Sequence, residues 1–163
     1  MISFEIMEKS RKEEILPELF DLLFDNMSVI APTGNDYETD FNEWYSAVSP
    51  AIEKDPRNII LIRDKGDIIG YFQYYVNRSV FMMEEIQFKR DYWGTGLFRK
   101  LYEFITNEIN PTAEFVEAYA NIANKKSREI LMHLGLEPVG TNANGNSIHY
   151  RGDCRELMNK YRL

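Results

Sequence analysis

The sequence of 163 residues has little of what several classes of protein depend on. It has one cysteine, Cys154, which excludes an internal disulfide and indicates a reducing compartment. Its two histidines, His133 and His149, cannot form a conventional zinc site with one thiol, so we expect no metal. Its apolar runs, such as residues 59–62, are far too short to cross a bilayer. No apolar segment follows the charged amino terminus as in a signal peptide, so we expect a soluble cytoplasmic protein without membrane contact.

Basic residues are also scarce, since 19 Lys and Arg face 26 Asp and Glu and the formal net charge is −7. This balance argues against nucleic-acid binding, which needs a basic surface. The deficit is uneven. From Glu13 to Glu53 there are ten acidic residues and no Lys or Arg, whereas from Lys89 onward 11 basic residues face 9 acidic ones. Such a stretch is typical of solvated helix faces, or of a surface that attracts cations.

Apolar residues are plentiful, at 44% with 13% aromatic residues, which is enough for a complete core. No linker or repeat divides the chain, so we expect one domain over residues 1–163. Residue periodicity predicts the order β-α-α-β-β-β-α-β-α-β-β, with a closing helix over 153–161, which is an α+β fold around one mixed sheet flanked by helices. The predicted strands cover 2–6, 58–63, 68–76, 80–88, 115–120, 137–141 and 147–151. The predicted helices are a first one behind a capping box of Ser10 and Glu13, then 39–54, 97–109 and 125–134.

One segment carries a chemical signal, because a strand, a turn with two glycines and a helix follow one another within residues 84–101. Glycines let the backbone approach a ligand, and the free N–H groups of a helix start point at an anion. The segment therefore predicts a phosphate or pyrophosphate site, although a plain strand-to-helix turn has the same residues. The third glycine of a dinucleotide fingerprint is missing and no Gly-Lys-Ser/Thr follows, so it is neither a Rossmann loop nor a P-loop.

With the element order, this segment resembles the GNAT superfamily of acyl-CoA-dependent N-acyltransferases. Residues 92–101, Tyr-Trp-Gly-Thr-Gly-Leu-Phe-Arg-Lys-Leu, are similar to the family's pyrophosphate loop, usually Arg/Gln-Gly-x-Gly-x-Gly/Ala. Residues 120–127, Ala-Asn-Ile-Ala-Asn-Lys-Lys-Ser, are similar to its Asn-x-x-Ala/Ser helix. The chain departs from the family at Trp93 (usually Arg or Gln), at Phe98 (usually Gly or Ala) and at Leu131, where many members have the tyrosine that protonates the thiolate.

The resemblance implies acetyl-CoA as co-substrate and a sheet split like a V between its fourth and fifth strands. Pantetheine would pair with the backbone of the fourth strand, and the pyrophosphate would lie on the N–H groups of the glycine turn. The residues assigned to the cofactor in this way are Ile86, Gln87, Phe88, Trp93, Gly94, Thr95, Gly96, Leu97, Phe98, Arg99 and Asn124. For Asn124 a helix cap is an equally good interpretation.

Acylation of an amine needs a base, because a lysine-like amine has a pKa of about 10.4 and attacks only when neutral. A period of two puts Glu84 on the strand face of Ile86 and Phe88, and Glu85 on the opposite face. In the family the former face is directed toward the acceptor, so we expect Glu84 to be the base, and a bulge would exchange the two. The nearest replacement for the missing acid is Tyr119, whose other interpretation is a half-buried strand aromatic.

The resemblance therefore implies an acetyl-CoA-dependent N-acetyltransferase that acts on a primary amine, in a small cationic molecule or a peptide, by direct attack in a ternary complex. The family's acceptor side would carry Asp36, Glu38, Asp40 and Glu43, which favours a cationic acceptor. Cys154 has no nearby base, so we expect no acyl-cysteine. The alternative, favoured by the three departures, is a non-catalytic module that keeps the fold and binds acyl-CoA or a protein. A homodimer is left open.

Overall fold

The structure, a computed structural model, describes residues 1–54 and 56–163. Strands β1 to β7 are Ile2–Ile6, Arg57–Asp64, Asp67–Val76, Val80–Phe88, Phe115–Asn121, Glu137–Thr141 and Ser147–Asp153. Helices α1 to α5 are Lys12–Ile30, Tyr37–Ile52, Leu97–Phe104, Lys125–His133 and Cys154–Tyr161. Their order along the chain is the predicted one, and the closing helix α5 is present.

The strands form one seven-stranded mixed sheet in the order β1-β2-β3-β4-β5-β7-β6. β1 pairs with β2, and β7 with β5 and β6, in antiparallel fashion, whereas β4 and β5 are parallel. The parallel pairing runs from Val80 opposite Phe115 to Met83 opposite Ala118. Both strands continue past this last pair, β4 to Phe88 and β5 to Asn121. The α+β class with a mixed sheet is confirmed.

One compact unit comprises Met1–Gln73 and Glu85–Trp93. Its apolar residues recur every three or four positions in α1, so one side of this helix can enter the core. Trp44, Tyr45 and Val48 of α2 pack against the same core. The buried members of the core are Met7, Ile15, Leu16, Leu19, Ile52, Ile59, Leu61, Ile68 and Tyr71. Burial of each large side chain contributes about 1.5–3 kcal/mol, which holds α1 and α2 in place.

The second compact unit comprises Tyr74–Glu84 and Gly94–Leu163. Alternation along β5 separates two faces, since Val116, Ala118 and Ala120 are buried apolar residues. The opposite face carries Glu117, which is buried, and Tyr119, which is exposed. Within the described parts of the chain, no helix is both long and apolar enough to span a membrane.

One detail of the predicted helices is wrong. Ser10 does not cap α1, because it lies in a 3-10 turn (Lys9–Arg11) closed by a hydrogen bond from the Arg11 N–H to the Glu8 carbonyl. The helix predicted over 97–109 has the predicted bounds. It is α-helical to Phe104 and continues as a π-helical turn over Ile105–Ile109. The turn ends at Asn110 in the left-handed conformation (φ 50°), which stops the helix before Pro111.

Candidate active site

The glycine turn between β4 and α3 has an open, strongly curved backbone. Gly94 and Gly96 have φ values of 74° and 83°, in the left-handed region that side chains rarely adopt. A Cβ atom at either glycine would meet no atom within 4 Å. The N–H of Lys100 bonds to the Gly96 carbonyl at 3.3 Å, so the preceding N–H groups of α3 have no acceptor inside the helix. The backbone of residues 94–99, called the cradle below, suits an anionic group that backbone N–H groups bind directly.

The Phe98 side chain is directed away from this cradle, because its ring contacts the Tyr102 ring one turn further along α3. The ring centroids are 4.6 Å apart with an interplanar angle of 35°. The Tyr102 hydroxyl in turn donates to the Met83 Sδ at 3.1 Å. The departure at Phe98 is therefore accommodated by an aromatic contact along the helix.

Trp93, the other departure in the loop, forms a hydrogen bond with the last residue of β4. Its indole N–H donates to the Phe88 carbonyl oxygen at 3.1 Å. The same oxygen accepts from the Asn26 Nδ2 at 2.8 Å. With two donors on this oxygen, both lone pairs of the Phe88 carbonyl are used, and it has none left for a cofactor amide.

Asn26 also begins a buried chain of side-chain hydrogen bonds that sequence reasoning missed. Its Nδ2 donates to the Gln87 Oε1 at 2.9 Å, and the Gln87 Nε2 donates to the Glu85 Oε1 at 2.7 Å. Asn26 and Gln87 are only 2% and 9% exposed. A polar residue on the apolar side of α1, where Leu19 and Leu22 precede it, was the signal that could have revealed it.

The two adjacent glutamates of β4 are both half-buried. Glu85 is tied to the chain through Gln87, and its charge acts on the hydroxyl of Tyr71. That hydroxyl is buried without a hydrogen-bond partner among the described residues. Burial first, and the negative charge of Glu85 second, raise the pKa of Tyr71 well above its usual value. The structure thus gives Glu85 a hydrogen bond from Gln87, and the assignment of Glu84 as the base stays a prediction.

Tyr119, the predicted acid, belongs to a second polar group on β5 and β7. Its ring stacks on the His149 imidazole with centroids 4.5 Å apart and an interplanar angle of 7°. The His149 Nε2 bonds to the Glu117 Oε1, and the Arg151 Nη2 lies 3.3 Å from the Glu117 Oε2. Glu117 was not among the predicted residues. An alternating Glu-x-Tyr in one strand and His-x-Arg in another was its signal, but only strand pairing joins the two.

Asn124 is the N-cap of α4, because its Oδ1 accepts the Ser127 N–H at 3.1 Å. The helix-cap interpretation of this residue is therefore confirmed. The cap uses the oxygen of the amide, whereas the resemblance assigned its amide group to the cofactor, and that assignment stays a prediction.

Two of the four carboxylates expected on the acceptor side stabilise the start of α2. Asp36 accepts the Thr39 N–H at 2.8 Å, and hydrogen bonds from Thr39 hold the pKa of Asp36 below its usual value. Asp40 accepts from the Thr33 hydroxyl at 2.7 Å. Glu38 and Glu43 are exposed. Local structure therefore explains Asp36 and Asp40, and leaves Glu38 and Glu43 facing solvent.

A cleft of about 650 Å³ lies beside α1 in the first unit. Carboxylates outnumber cations four to two along its walls, so its potential favours positive ligands. The lining residues are Glu18, Asp21, Leu22, Asp25, Asn26, Ile68, Lys89, Arg90 and Asp91. Arg90 is exposed but paired, because it lies 3.6 Å from the Asp25 Oδ1 and donates to the Asp25 carbonyl.

Two other kinds of chemistry find no support in the described residues. Cys154 is fully buried, and burial raises the pKa of its thiol, which makes it a poor nucleophile. The described part of the chain has no group of three or more His, Cys, Asp or Glu arranged to hold a metal ion.

Comparison with known proteins identifies the family. The model of the acetyltransferase (GNAT) family matches residues 16–135. The chain belongs to this family. No curated protein matches the sequence. The fold of this GNAT acetyltransferase is shared by solved structures of low sequence identity, and the departures at Trp93 and Phe98 occur within a chain that has the family fold.

Three of these structures cover almost the whole chain. An acetyltransferase from Thermus thermophilus is 15% identical over 94% of this chain and 97% of its own, with a TM-score of 0.71. An acetyltransferase from Streptococcus agalactiae is 13% identical over 93% and 98%, with a TM-score of 0.68. Mutant forms of the spermidine/spermine N-acetyltransferase SpeG from Vibrio cholerae are 13% identical over 98% and 97%, with a TM-score of 0.62.

Proposed function

We propose that this GNAT acetyltransferase moves an acetyl group from acetyl-CoA to the primary amine of a small cationic molecule or a basic peptide. The observation that carries the proposal is the glycine turn, where two left-handed glycines and the start of α3 leave an open backbone cradle. Membership of the family supports an acetyltransferase over a non-catalytic module. The family's co-substrate carries the pyrophosphate that such a cradle fits.

The residues that would hold acetyl-CoA are those of the cradle and of the end of β4. Backbone N–H groups of residues 94–99 would bind the pyrophosphate, and backbone groups of residues 86–88, other than the occupied Phe88 carbonyl, would pair with pantetheine. When bound, acetyl-CoA supplies an activated acyl group and a thiolate leaving group. The residues of the chain would then orient acetyl-CoA and the acceptor amine and would move protons.

Two side chains would move protons. The Glu84 carboxylate would accept the proton of the acceptor ammonium, through a water molecule, because only the neutral amine attacks. The Tyr119 Oη would supply a proton to the departing thiolate. Tyr119 is 47% exposed, so a ligand can reach its ring from solvent.

A cationic acceptor is supported by charge. Between Glu13 and Glu53 the chain has ten acidic residues and no Lys or Arg. The cleft beside α1 is lined by twice as many carboxylates as cations. Among structures of the same fold, SpeG is by its name a spermidine/spermine N-acetyltransferase. At 13% identity that similarity shows the fold alone, so it suggests polyamines as the first acceptors to test.

Cofactor binding is tested by calorimetry with CoA on the wild type and on Gly96→Asp. The added carboxylate stands in open space at the cradle and repels the pyrophosphate, so we expect binding to be abolished. Gly145→Asp is a matched control, because Gly145 has a similar φ of 73° and equally open surroundings in another loop. A wild type that binds no CoA would disprove the proposal.

Acceptor class is tested by thiol release from acetyl-CoA with a panel of cationic, neutral and acidic amines. For a cationic amine kcat/KM should fall as salt shortens the Debye length to about 10 Å and below. The combined variant Asp36→Asn, Glu38→Gln, Asp40→Asn should raise KM for that amine, and Asn at position 36 preserves the cap. Glu13→Gln with Glu14→Gln is the control. CoA binding without thiol release for any amine would instead support a binding module.

A further inference from the structure

A row of interacting side chains runs across β5 and β7 on the face opposite the buried Val116, Ala118 and Ala120. In the antiparallel register, Glu117 is opposite Arg151 and Tyr119 is opposite His149. Directly opposed residues of such a pair are close enough for their side chains to interact. The proposed reaction uses only Tyr119 of these four, so the other three need an explanation.

Glu117 is the anchor of the row. Its side chain is 6% exposed, and both of its carboxylate oxygens are occupied, one by the His149 Nε2 and the other by the Arg151 Nη2 at 3.3 Å. The Arg151 guanidinium is itself held over the Phe115 ring, 4.5 Å from its centroid. A buried carboxylate costs stability unless it is paired, and apolar residues can often replace such a pair without loss. Glu117 is therefore better explained by what it orients than by stability.

What Glu117 orients is the imidazole of His149. A carboxylate accepts hydrogen bonds only, so the Nε2 of His149 carries a hydrogen in this contact. The bond fixes the ring's rotation and its distance from β5. The imidazole side chain is 20% exposed, which leaves it little room to move away from this position.

The fixed imidazole in turn covers one side of the Tyr119 ring. The planes of the two rings are nearly parallel, with an angle of 7° between them and 4.5 Å between their centroids. Tyr119 is 47% exposed, so without this contact its ring would have few neighbours to restrict it. A proton donor contributes only when its oxygen is held within hydrogen-bond reach of the reacting atom.

We propose that His149 is a positioning residue for Tyr119, and that the buried Glu117 holds His149 for this purpose. The inference rests on the proposed function. In that function the acceptor nitrogen forms a bond to the carbonyl carbon of the thioester. The C–S bond breaks with its electron pair on sulfur, and the proton of the Tyr119 Oη moves to that sulfur. The nitrogen gives up one proton to solvent, and the tyrosinate takes one proton back from solvent. His149 exchanges no proton in this scheme and acts through the orientation of the Tyr119 ring.

A double-mutant cycle separates this role from an ordinary cross-strand contact. Tyr119→Phe should lower kcat by about 10²-fold, the lower end of acid catalysis. His149→Gln keeps a hydrogen bond for Glu117 but removes the stacked ring, and it should lower kcat about tenfold in the wild type and not at all in Tyr119→Phe. His149→Phe keeps a flat ring but loses the hydrogen bond to Glu117, so it should recover only part of kcat, and full recovery would show that Glu117 does not position the ring. His133→Gln is the matched control, since His133 is the other histidine and lies exposed on α4.

A measurement without turnover completes the test. In NMR spectra His149→Gln should shift the ring-proton signals of Tyr119, because the imidazole ring current acts on them, and His133→Gln should not. Overturning results are a wild type that releases thiol while His149→Gln leaves kcat unchanged, or equal losses from His149→Gln with and without Tyr119. Failure of the proposed function looks different, because the wild type then releases no thiol although the NMR shift is still present.

Discussion

Glu84 and Glu85 are adjacent in β4, and replacing each by glutamine should separate catalysis from stability. If the Glu84 carboxylate is the base, Glu84→Gln should lower kcat by about 10²–10⁴-fold with CoA affinity nearly unchanged. That loss corresponds to about 2.7–5.5 kcal/mol of transition-state stabilisation at 25 °C. The substitution conserves shape and replaces the proton-accepting carboxylate by an amide that cannot act as a base.

Glu85→Gln should show the opposite pattern, because the structure gives this carboxylate a hydrogen bond from the Gln87 Nε2 at 2.7 Å. A glutamine oxygen can still accept that bond, but without charge, which costs about 1 kcal/mol. For a chain of this size the expected fall in melting temperature is about 2–4 °C. The kcat value should stay within a few-fold of the wild type.

The assay is a pair of measurements on the same protein samples, thiol release at saturating acetyl-CoA and thermal unfolding followed by circular dichroism. Gln87→Met removes, at nearly constant volume, both the amide hydrogen that serves Glu85 and the oxygen that accepts from Asn26, so it should lower the melting temperature more than Glu85→Gln does. If Glu85→Gln abolishes turnover and Glu84→Gln does not, the side-chain alternation of β4 is interrupted by a bulge and the base is the other carboxylate.

Two further predictions concern stability. Gly70→Ala should cost about 1–3 kcal/mol in thermal unfolding, because its Cβ would lie 2.6 Å from the Gln87 backbone oxygen, whereas Gly140→Ala, with open space around it, should be neutral. Equal melting temperatures would contradict that contact. The hydrogen bond to Asp21 raises the pKa of Tyr37 to about 12, above the value of 10.0 for a free phenol. The folded state thus favours the protonated phenol, so its stabilisation is complete below about pH 10 and lost as pH rises toward 12, and Tyr37→Phe should decline less over that interval in alkaline unfolding curves.

The two departures from the family loop, Trp93 and Phe98, both have contacts within the chain. Phe98 is large where the family has Gly or Ala, yet its ring contacts Tyr102 along the helix. Trp93 replaces a cationic or amide residue and donates to the Phe88 carbonyl. Because backbone N–H groups remain in the turn whatever the side chains are, the proposed anion binding at the cradle would not depend on either residue.

Local residue patterns were enough to predict the strands and helices of this protein. Apolar alternation and helical spacing are short-range properties, so the strands from Ile2 to Asp153 and the helices could be predicted from neighbouring residues. The glycine turn could also be predicted from the sequence, because a backbone with positive φ favours glycine, and Gly94 and Gly96 both have positive φ. The predicted helix cap at Ser10 was wrong because another local structure forms there. The Arg11 N–H bonds to the Glu8 carbonyl in a 3-10 turn that includes Ser10.

Only the tertiary structure decided which side chains act together. Asn26 and Gln87 are 61 positions apart in the sequence, and Glu117 and His149 are 32 apart. No local periodicity encodes such pairs, because they exist only once α1 packs on β4 and β7 pairs with β5. A buried amide or carboxylate needs hydrogen-bond partners, and the fold decides which residues lie close enough to supply them. The pairing of Glu117 with His149 is therefore not visible in the amino-acid composition. The sequence determined where the cradle lies, and packing determined which polar residues surround Tyr119.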